Sequence, residues 1–159
     1  MTLTMPQDLI VRPIAPTDFE AWQPLWDGYN AFYGRAGETA LAPAITASTW
    51  ARFFDPQEPV FALVAERAGE LIGLSHYLFH RSTTRIDRVC YLQDLFTAPA
   101  QRGLGLGVGR ALIGAVSEAA RQAGIDRVYW HTHESNAAGR RLYDKVGKHS
   151  GFIVYAGTP

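Results

Sequence analysis

The sequence predicts a mixed α/β fold, a central sheet carrying helices on both faces, and three observations predict it. Apolar runs of strand length alternate along the chain with segments whose apolar residues recur every three or four positions. Two of the strand-like runs, 59–66 and 70–80, are separated only by Arg67, Ala68 and Gly69, a hairpin signature. A glycine-rich run at 101–110 stands between a further strand-like run and an amphipathic helix, where chain reversal and close backbone approach are both needed.

Taken in order, residues 9–14 read as the first strand, ended by Pro13 and Pro16. Thr17, with Glu20 three positions on, has the spacing of a capping box and is expected to open a helix. Phe19, Trp22, Trp26, Tyr29 and Tyr33 recur at helical intervals, and Pro24 inside that pattern is expected to kink the helix or split it in two. Residues 34–44 read as a loop and 47–54 as a short helix stopping before Pro56. After the hairpin and a polar turn at 81–87, residues 89–96 form a fourth strand leading into the glycines. Val108, Leu112, Val116, Ala119 and Ala123 then mark one face of a helix, with Gly124 where a left-handed C-cap belongs. Residues 128–132 read as a fifth strand, Ser135 or Asn136 as the cap of a helix reaching about Val146, and residues 152–155 as a sixth strand.

The bulk properties narrow the function. At 159 residues, 47% hydrophobic and 19% charged, the expectation is a single globular domain over 1–159. Fifteen basic residues balance fifteen acidic ones, which gives no electrostatic ground for nucleic-acid binding. The single cysteine, Cys90, falls in a strand expected to be buried and reads as a small inert hydrophobe. No apolar run approaches membrane-spanning length, and the N-terminal residues lack the basic and apolar regions of a signal peptide. The expected setting is therefore the reduced cytoplasm.

The glycine run is the most informative stretch. A helix start leaves about four backbone N–H groups without internal partners, and Ser, Thr, Asp or Asn usually satisfies one. None of those residues, and no acid, occurs between Ala98 and Val116. With glycines at 103, 105, 107 and 109 and positive charge from Arg102 and Arg110, the fitting guest is a phosphate or pyrophosphate. Spacing rejects two common cradles: the sixth position of G-x-G-x-x-G falls on Val108 or Arg110, and no Gly-Lys-Ser/Thr follows for a P-loop.

The segment from Arg102 to Gly107 matches Q/R-x-x-G-x-G/A, and the segment from Asn136 to Tyr143 matches N-x-x-A-x-x-L-Y with Gly139 in the alanine place. On these motifs the chain resembles the GCN5-related N-acetyltransferases (GNAT), and its order of elements is similar from Leu9 to Tyr155. Residues 91–96, 130–136 and 150–155 are more narrowly similar to a yeast subgroup of histone/polyamine and D-amino-acid N-acetyltransferases. The resemblance implies a mostly antiparallel sheet of six to seven strands whose parallel fourth and fifth strands splay apart, with acetyl-CoA in the wedge. It places the pyrophosphate on Gln101, Arg102, Gly103, Leu104, Gly105, Leu106, Gly107 and Val108, and the pantetheine arm beside Leu95, Phe96 and Thr97. At about 100° per residue, Asn136, Gly139 and Tyr143 share one helix face. The resemblance gives Asn136 the pantetheine amide, Gly139 the room for the arm, and Tyr143 the sulfur.

Acetyl transfer to an amine needs a proton donor for the leaving sulfur and an acceptor for the amine proton. Tyr143 is the candidate acid. Asp94 is the first candidate base, with Glu134 and His76 as alternatives, and the competing reading makes Asp94 a carboxylate that only orders its strand. Trp26, Tyr29 and Tyr33 are expected to overlook the acceptor, whose neighbourhood would also include His76 and Glu134. An aromatic wall suits an alkyl or cationic amine, although core packing also explains the stripe. His131, His133 and Glu134 lack a further ligand motif, so no metal is expected. The expected function is acetyl-CoA-dependent acetylation of a primary amine on a small molecule, amino-acid or polyamine-like. A peptide or protein amine, and a non-catalytic acyl-CoA-binding module, are the alternatives. The apolar strand at 152–155 is expected to pair with a second copy in a homodimer.

Overall fold

A computed structural model of the chain describes residues 8–159, so the reading of the extreme N-terminus lies outside the described residues. Five strands form one sheet in the order β1 (Ile10–Pro13), β2 (Val60–Arg67), β3 (Glu70–His80), β4 (Val89–Thr97) and β5 (Val128–Tyr129). The first three pairings are antiparallel and β4 runs parallel to β5. Helix α1 (Phe19–Phe32) packs on one face, α3 (Val108–Gln122) on the other, and two shorter helices, α2 (Pro43–Arg52) and α4 (Ala137–Val146), complete the set. One apolar cluster joins Trp22, Leu25 and Trp26 to Val64, Leu74 and Phe96; the other joins Leu112, Ile113 and Val116 to Leu63, Tyr77 and Leu92.

Several expectations are corrected. The entry to α1 is organised by Asp18 rather than Thr17: its carboxylate accepts the Ala15 N–H at 2.7 Å and both terminal nitrogens of Arg12 at 2.7 and 3.0 Å. The Arg12 Nε reaches Glu66 at 2.8 Å and ties β1 to β2. Pro24 does not split α1, because its missing N–H forfeits only one bond, to the Glu20 carbonyl, while Trp22, Leu25 and Trp26 bury the helix on both sides of it. Helix α2 opens earlier than expected, at Pro43, whose fixed φ suits the first helical position. Residues 152–155 form no strand, and Phe152, Ile153, Val154 and Tyr155 are 70 to 87% exposed. Among the described residues the sheet has five strands instead of six to seven, because this apolar run docks on neither sheet edge.

The α3 boundaries are as expected. Gly107 is its N-cap residue with φ of +67°, no side chain caps it, and Gly124 ends it in the left-handed region. The amide of Ile125 returns to the Ala120 carbonyl and that of Gly124 to Arg121, a Schellman closure. Gly73 on β3 makes room for this helix, since a Cβ there would lie 2.9 Å from Val108 Cγ1.

Candidate active site

Strands β4 and β5 share only two paired positions, Cys90 with Val128 and Tyr91 with Tyr129. Beyond them the strands part, and the expected strand at 128–132 stops at Tyr129 because Trp130 and His131 turn to line the gap. The wedge is closed by Tyr29 of α1 and Tyr33 just after it, Leu92, Gln93 and Leu95 of β4, and Tyr143 of α4. Tyr143 packs its ring edgewise on Trp130, with centroids 5.7 Å apart. Burial raises its pKa above the ordinary phenol value, so the hydroxyl keeps its proton at neutral pH.

At the C-terminal end of β4 a short turn at Pro99–Gln101 leads into the glycine loop. Gly103, Gly105 and Gly107 all have positive φ, at +73°, +70° and +67°. Left-handed residues at every second position gather successive N–H groups on one concave side of a loop, and here that loop runs straight into the uncapped start of α3. A Cβ at any of the three would meet nothing within 4 Å, so the surface around them is open. Arg102 anchors the loop: its Nε donates to the Thr97 carbonyl at 2.8 Å and its guanidinium lies over the Phe96 ring. The cradle therefore fits a diphosphate. Leu104 is exposed, Leu106 and Gln101 are half-buried, and Val108 is buried under the first turn.

Asn136 caps α4, its Oδ1 accepting the Gly139 N–H at 3.1 Å while its Nδ2 donates to Thr132 Oγ1 at 3.0 Å. Gly139 lets the Asn136 side chain lie this close, since a Cβ there would stand 2.5 Å from its side-chain nitrogen and push it aside.

On the other side of β4 a one-residue bulge sets which face of the sheet Asp94 joins. His76 pairs with Asp94 but the next β3 residue, Tyr77, pairs with Leu92, so Gln93 has no opposite number. Cys90 and Leu92 face the α3 cluster; without the extra residue, strand alternation would send Asp94 the same way. The bulge instead turns Asp94 with Phe96 toward α1, where it meets His76. His76 Nδ1 lies 2.9 Å from Asp94 Oδ2, and the Trp22 indole N–H donates to His76 Nε2 at 3.0 Å. All three residues are buried. Burial, then the charge of Asp94, raises the pKa of Tyr29, and the same two causes in that order act on Tyr33 and Tyr91.

Beside this cluster lies a second cavity of about 180 Å³ between α2 and the sheet. His76, Gln93 and Asp94 border it from the strands, Trp26 from α1, and Thr49 and Arg52 from α2. Gln93 lines both this cavity and the β4–β5 wedge, so the bulge is the wall between them. The structure thus brings Asp94, His76, Trp26, Tyr29, Tyr33 and Tyr143 to two adjoining spaces. Glu134 is apart from both: it is exposed on the loop before α4, and its carbonyl accepts from Arg140. Sequence reasoning missed Arg52, Thr49 and Gln93, and it placed Trp22 only in the aromatic stripe of the first helix; no pattern in the chain marks where α2 lands or where β4 bulges. Cys90 is fully buried and its thiol is pushed up to about 12 by burial, which keeps it protonated. Among the described residues no group of three or more His, Cys, Asp or Glu side chains is placed to hold a metal ion.

Comparison with known proteins adds to this geometry. The sequence model of the Acetyltransferase (GNAT) family matches residues 22–147. The chain is 34% identical over 149 residues to the D-amino-acid N-acetyltransferase HPA3 of Saccharomyces cerevisiae, covering 92% of this chain and 89% of that protein. It is 31% identical over 147 residues to the uncharacterized N-acetyltransferase YhfO of Bacillus subtilis, with 91% and 94% covered. Among solved structures, the aminoglycoside N-acetyltransferase AAC(6')-Iy in complex with CoA superimposes with a TM-score of 0.78 at 17% identity, covering 99% of both chains. A ribosomal-protein-alanine N-acetyltransferase from Brucella melitensis biovar Abortus 2308 superimposes with a TM-score of 0.73 at 18% identity, covering 94% and 98%. These two likenesses establish the fold, and one fold serves a drug amine and a protein amine alike.

Proposed function

Because the chain belongs to the GNAT acetyltransferase family and is an acetyltransferase, we propose that it acetylates the primary amine of a small molecule, an amino acid or a similar compound, with acetyl-CoA as donor. The observation that carries the donor assignment is the open row of left-handed glycines ending in an α3 start that no side chain caps. Residues 101–108 would hold the pyrophosphate there, and Leu95, Phe96 and Thr97 would border the pantetheine arm. The Asn136 oxygen is already engaged with Gly139 and one of its N–H groups with Thr132, which leaves the second N–H to meet that arm. Bound acetyl-CoA supplies a thioester carbonyl as the electrophile and a thiolate as the leaving group.

The chain's own residues manage the protons. Asp94 takes one proton from the incoming ammonium and passes it to solvent. The neutral amine then attacks directly, with both substrates bound, and the C–S bond breaks as the C–N bond forms. Tyr143 gives its phenolic proton to the sulfur, and the second amine proton, released as the amide forms, restores it. Both groups border the Gln93 bulge from opposite sides.

The acceptor cavity, of about 180 Å³, is of amino-acid size. Its lining carries one carboxylate, Asp94, and one guanidinium, Arg52, a pair matched to the ammonium and carboxylate of an amino acid more closely than to a polyamine. The name of the yeast relative agrees with that reading. Thiol release from acetyl-CoA, measured over a panel of polyamines, aminoglycosides, lysine peptides and both enantiomers of several amino acids, tests it. The highest kcat/KM is expected for an amino acid, and a preference for lysine peptides would refute a small-molecule acceptor.

The exposed apolar residues at 152–155 support a homodimer in which this segment pairs with a second copy. Sedimentation at micromolar concentration is expected to give twice the 17.6 kDa chain mass, and a monomer would end that reading. The buried lone thiol accords with a cytoplasmic setting. Among the described residues no helix is long and apolar enough to cross a membrane.

A further inference from the structure

The buried contact between Trp22 and His76 has a chemical consequence for Asp94. An indole N–H is a donor only, and it is aimed at His76 Nε2 across 3.0 Å. That nitrogen must therefore present a lone pair. The ring proton is left on Nδ1, which lies 2.9 Å from Asp94 Oδ2 and donates to it. An imidazolium would carry protons on both nitrogens and set two donors against each other in a site where His76 is 3% exposed and Trp22 is fully buried.

From this geometry we infer that Trp22 is a positioning residue for the acetyl-transfer reaction: it locks His76 as the neutral Nδ1–H tautomer, so that His76 orients Asp94 without ever taking its proton. The inference rests on the reading of Asp94 as the base. An Asp–His pair left to itself can share a proton in either direction, and a protonated histidine beside the carboxylate would hold it as an ion pair and blunt its basicity. With Nε2 occupied by the indole, the pair has a single protonation site, the Asp94 carboxylate, which faces the acceptor cavity. The surrounding groups favour the same state. Phe53 packs on the His76 ring with centroids 4.8 Å apart, and Trp26 lies at 5.2 Å. Tyr29 from α1, Tyr33 at its C-terminal cap and Tyr91 from β4 face Asp94 as neutral phenols, and Arg52 from α2, on the same cavity wall, opposes a second positive charge.

The test is nitrogen NMR of the full chain labelled in histidine, read without substrate, together with pH profiles of two variants. His76 is expected to show a protonated Nδ1 and an unprotonated Nε2 at neutral pH. An Nε2–H tautomer, or an imidazolium, under the same conditions would overturn the inference. Trp22→Phe is expected to let His76 ionise and to move the acid limb of kcat/KM upward by about one pH unit, a tenfold loss below it, with acetyl-CoA affinity unchanged. An unmoved limb with a folded variant would count against the lock. If that variant does not fold, His76→Gln decides: its amide can accept from Trp22 and donate to Asp94 but cannot carry a proton. It is expected to keep the wild-type acid limb and to lose less than tenfold in kcat, whereas a loss as large as that of Asp94→Asn would make His76 a proton carrier. The tautomer is read independently of turnover. An expected tautomer in a protein whose Asp94→Asn variant is fully active would instead remove Asp94 as the base and leave the geometry intact.

Discussion

Beyond its C-terminal end β4 leads into backbone, and at its middle it offers side chains. The loop from Arg102 to Gly107 offers amide donors on an open surface, held in shape by left-handed glycines and by the Arg102 bond to the Thr97 carbonyl. The Asp94 cluster offers three buried, hydrogen-bonded side chains whose placement hangs on one unpaired residue, Gln93. A backbone cradle tolerates changes of side chain as long as φ is kept. A buried side-chain cluster tolerates changes of backbone conformation poorly, because moving one member strands the others.

That contrast can be broken at either end, and the larger effect is expected in the cluster. Asp94→Asn should lower kcat/KM by about 10²–10³ at neutral pH, in the range for loss of a positioned base, with no change in acetyl-CoA affinity by calorimetry. Tyr143→Phe should lower kcat by about 10² with the same unchanged affinity. Because burial raises the Tyr143 pKa, the basic limb of the wild-type profile should not fall below the ordinary phenol value of about 10. A fall near neutrality would assign that limb to another group and weaken the case for Tyr143.

The cradle should respond more mildly and in a different constant. At Gly105 a Cβ meets nothing within 4 Å, so Gly105→Ala adds no clash with its surroundings and acts only through its φ of +70°. A left-handed position costs a substituted residue about 1–2 kcal/mol, which predicts about a tenfold rise in KM for acetyl-CoA with kcat at saturation nearly unchanged. A loss of kcat instead would mean that the loop shapes the reacting end as well as the diphosphate, and the distinction between the two regions would blur.

The same contrast explains what could be read in advance. Strand and helix order from residue 9 to 146 follows from periodicity, and the Gly124 closure and the missing α3 cap follow from residue types that have few alternatives in those places. Phosphate-cradle chemistry is legible because it is local: the donors lie consecutively in the chain. Other features were not legible, for physical reasons. Asp18 rather than Thr17 organises the entry to α1 because its carboxylate accepts both the Ala15 N–H and the guanidinium of Arg12 from β1, a partner distant from any local capping pattern. Residues 152–155 are apolar enough for a strand, but the segment lies away from both sheet edges and stays exposed, which an apolar run alone does not reveal.

By itself the sequence determined the mixed sheet, the family, the glycine cradle and the candidacy of Tyr143, since each depends on neighbours within a few residues or on a motif of fixed spacing. Only the tertiary structure decided that Asp94 faces α1, that Trp22 reaches His76, and that Arg52 from α2 shares a cavity with them. Strand parity is reversed by one bulged residue, and a hydrogen bond between residues 54 positions apart exists only when two packed layers bring a donor and a lone pair to bonding distance.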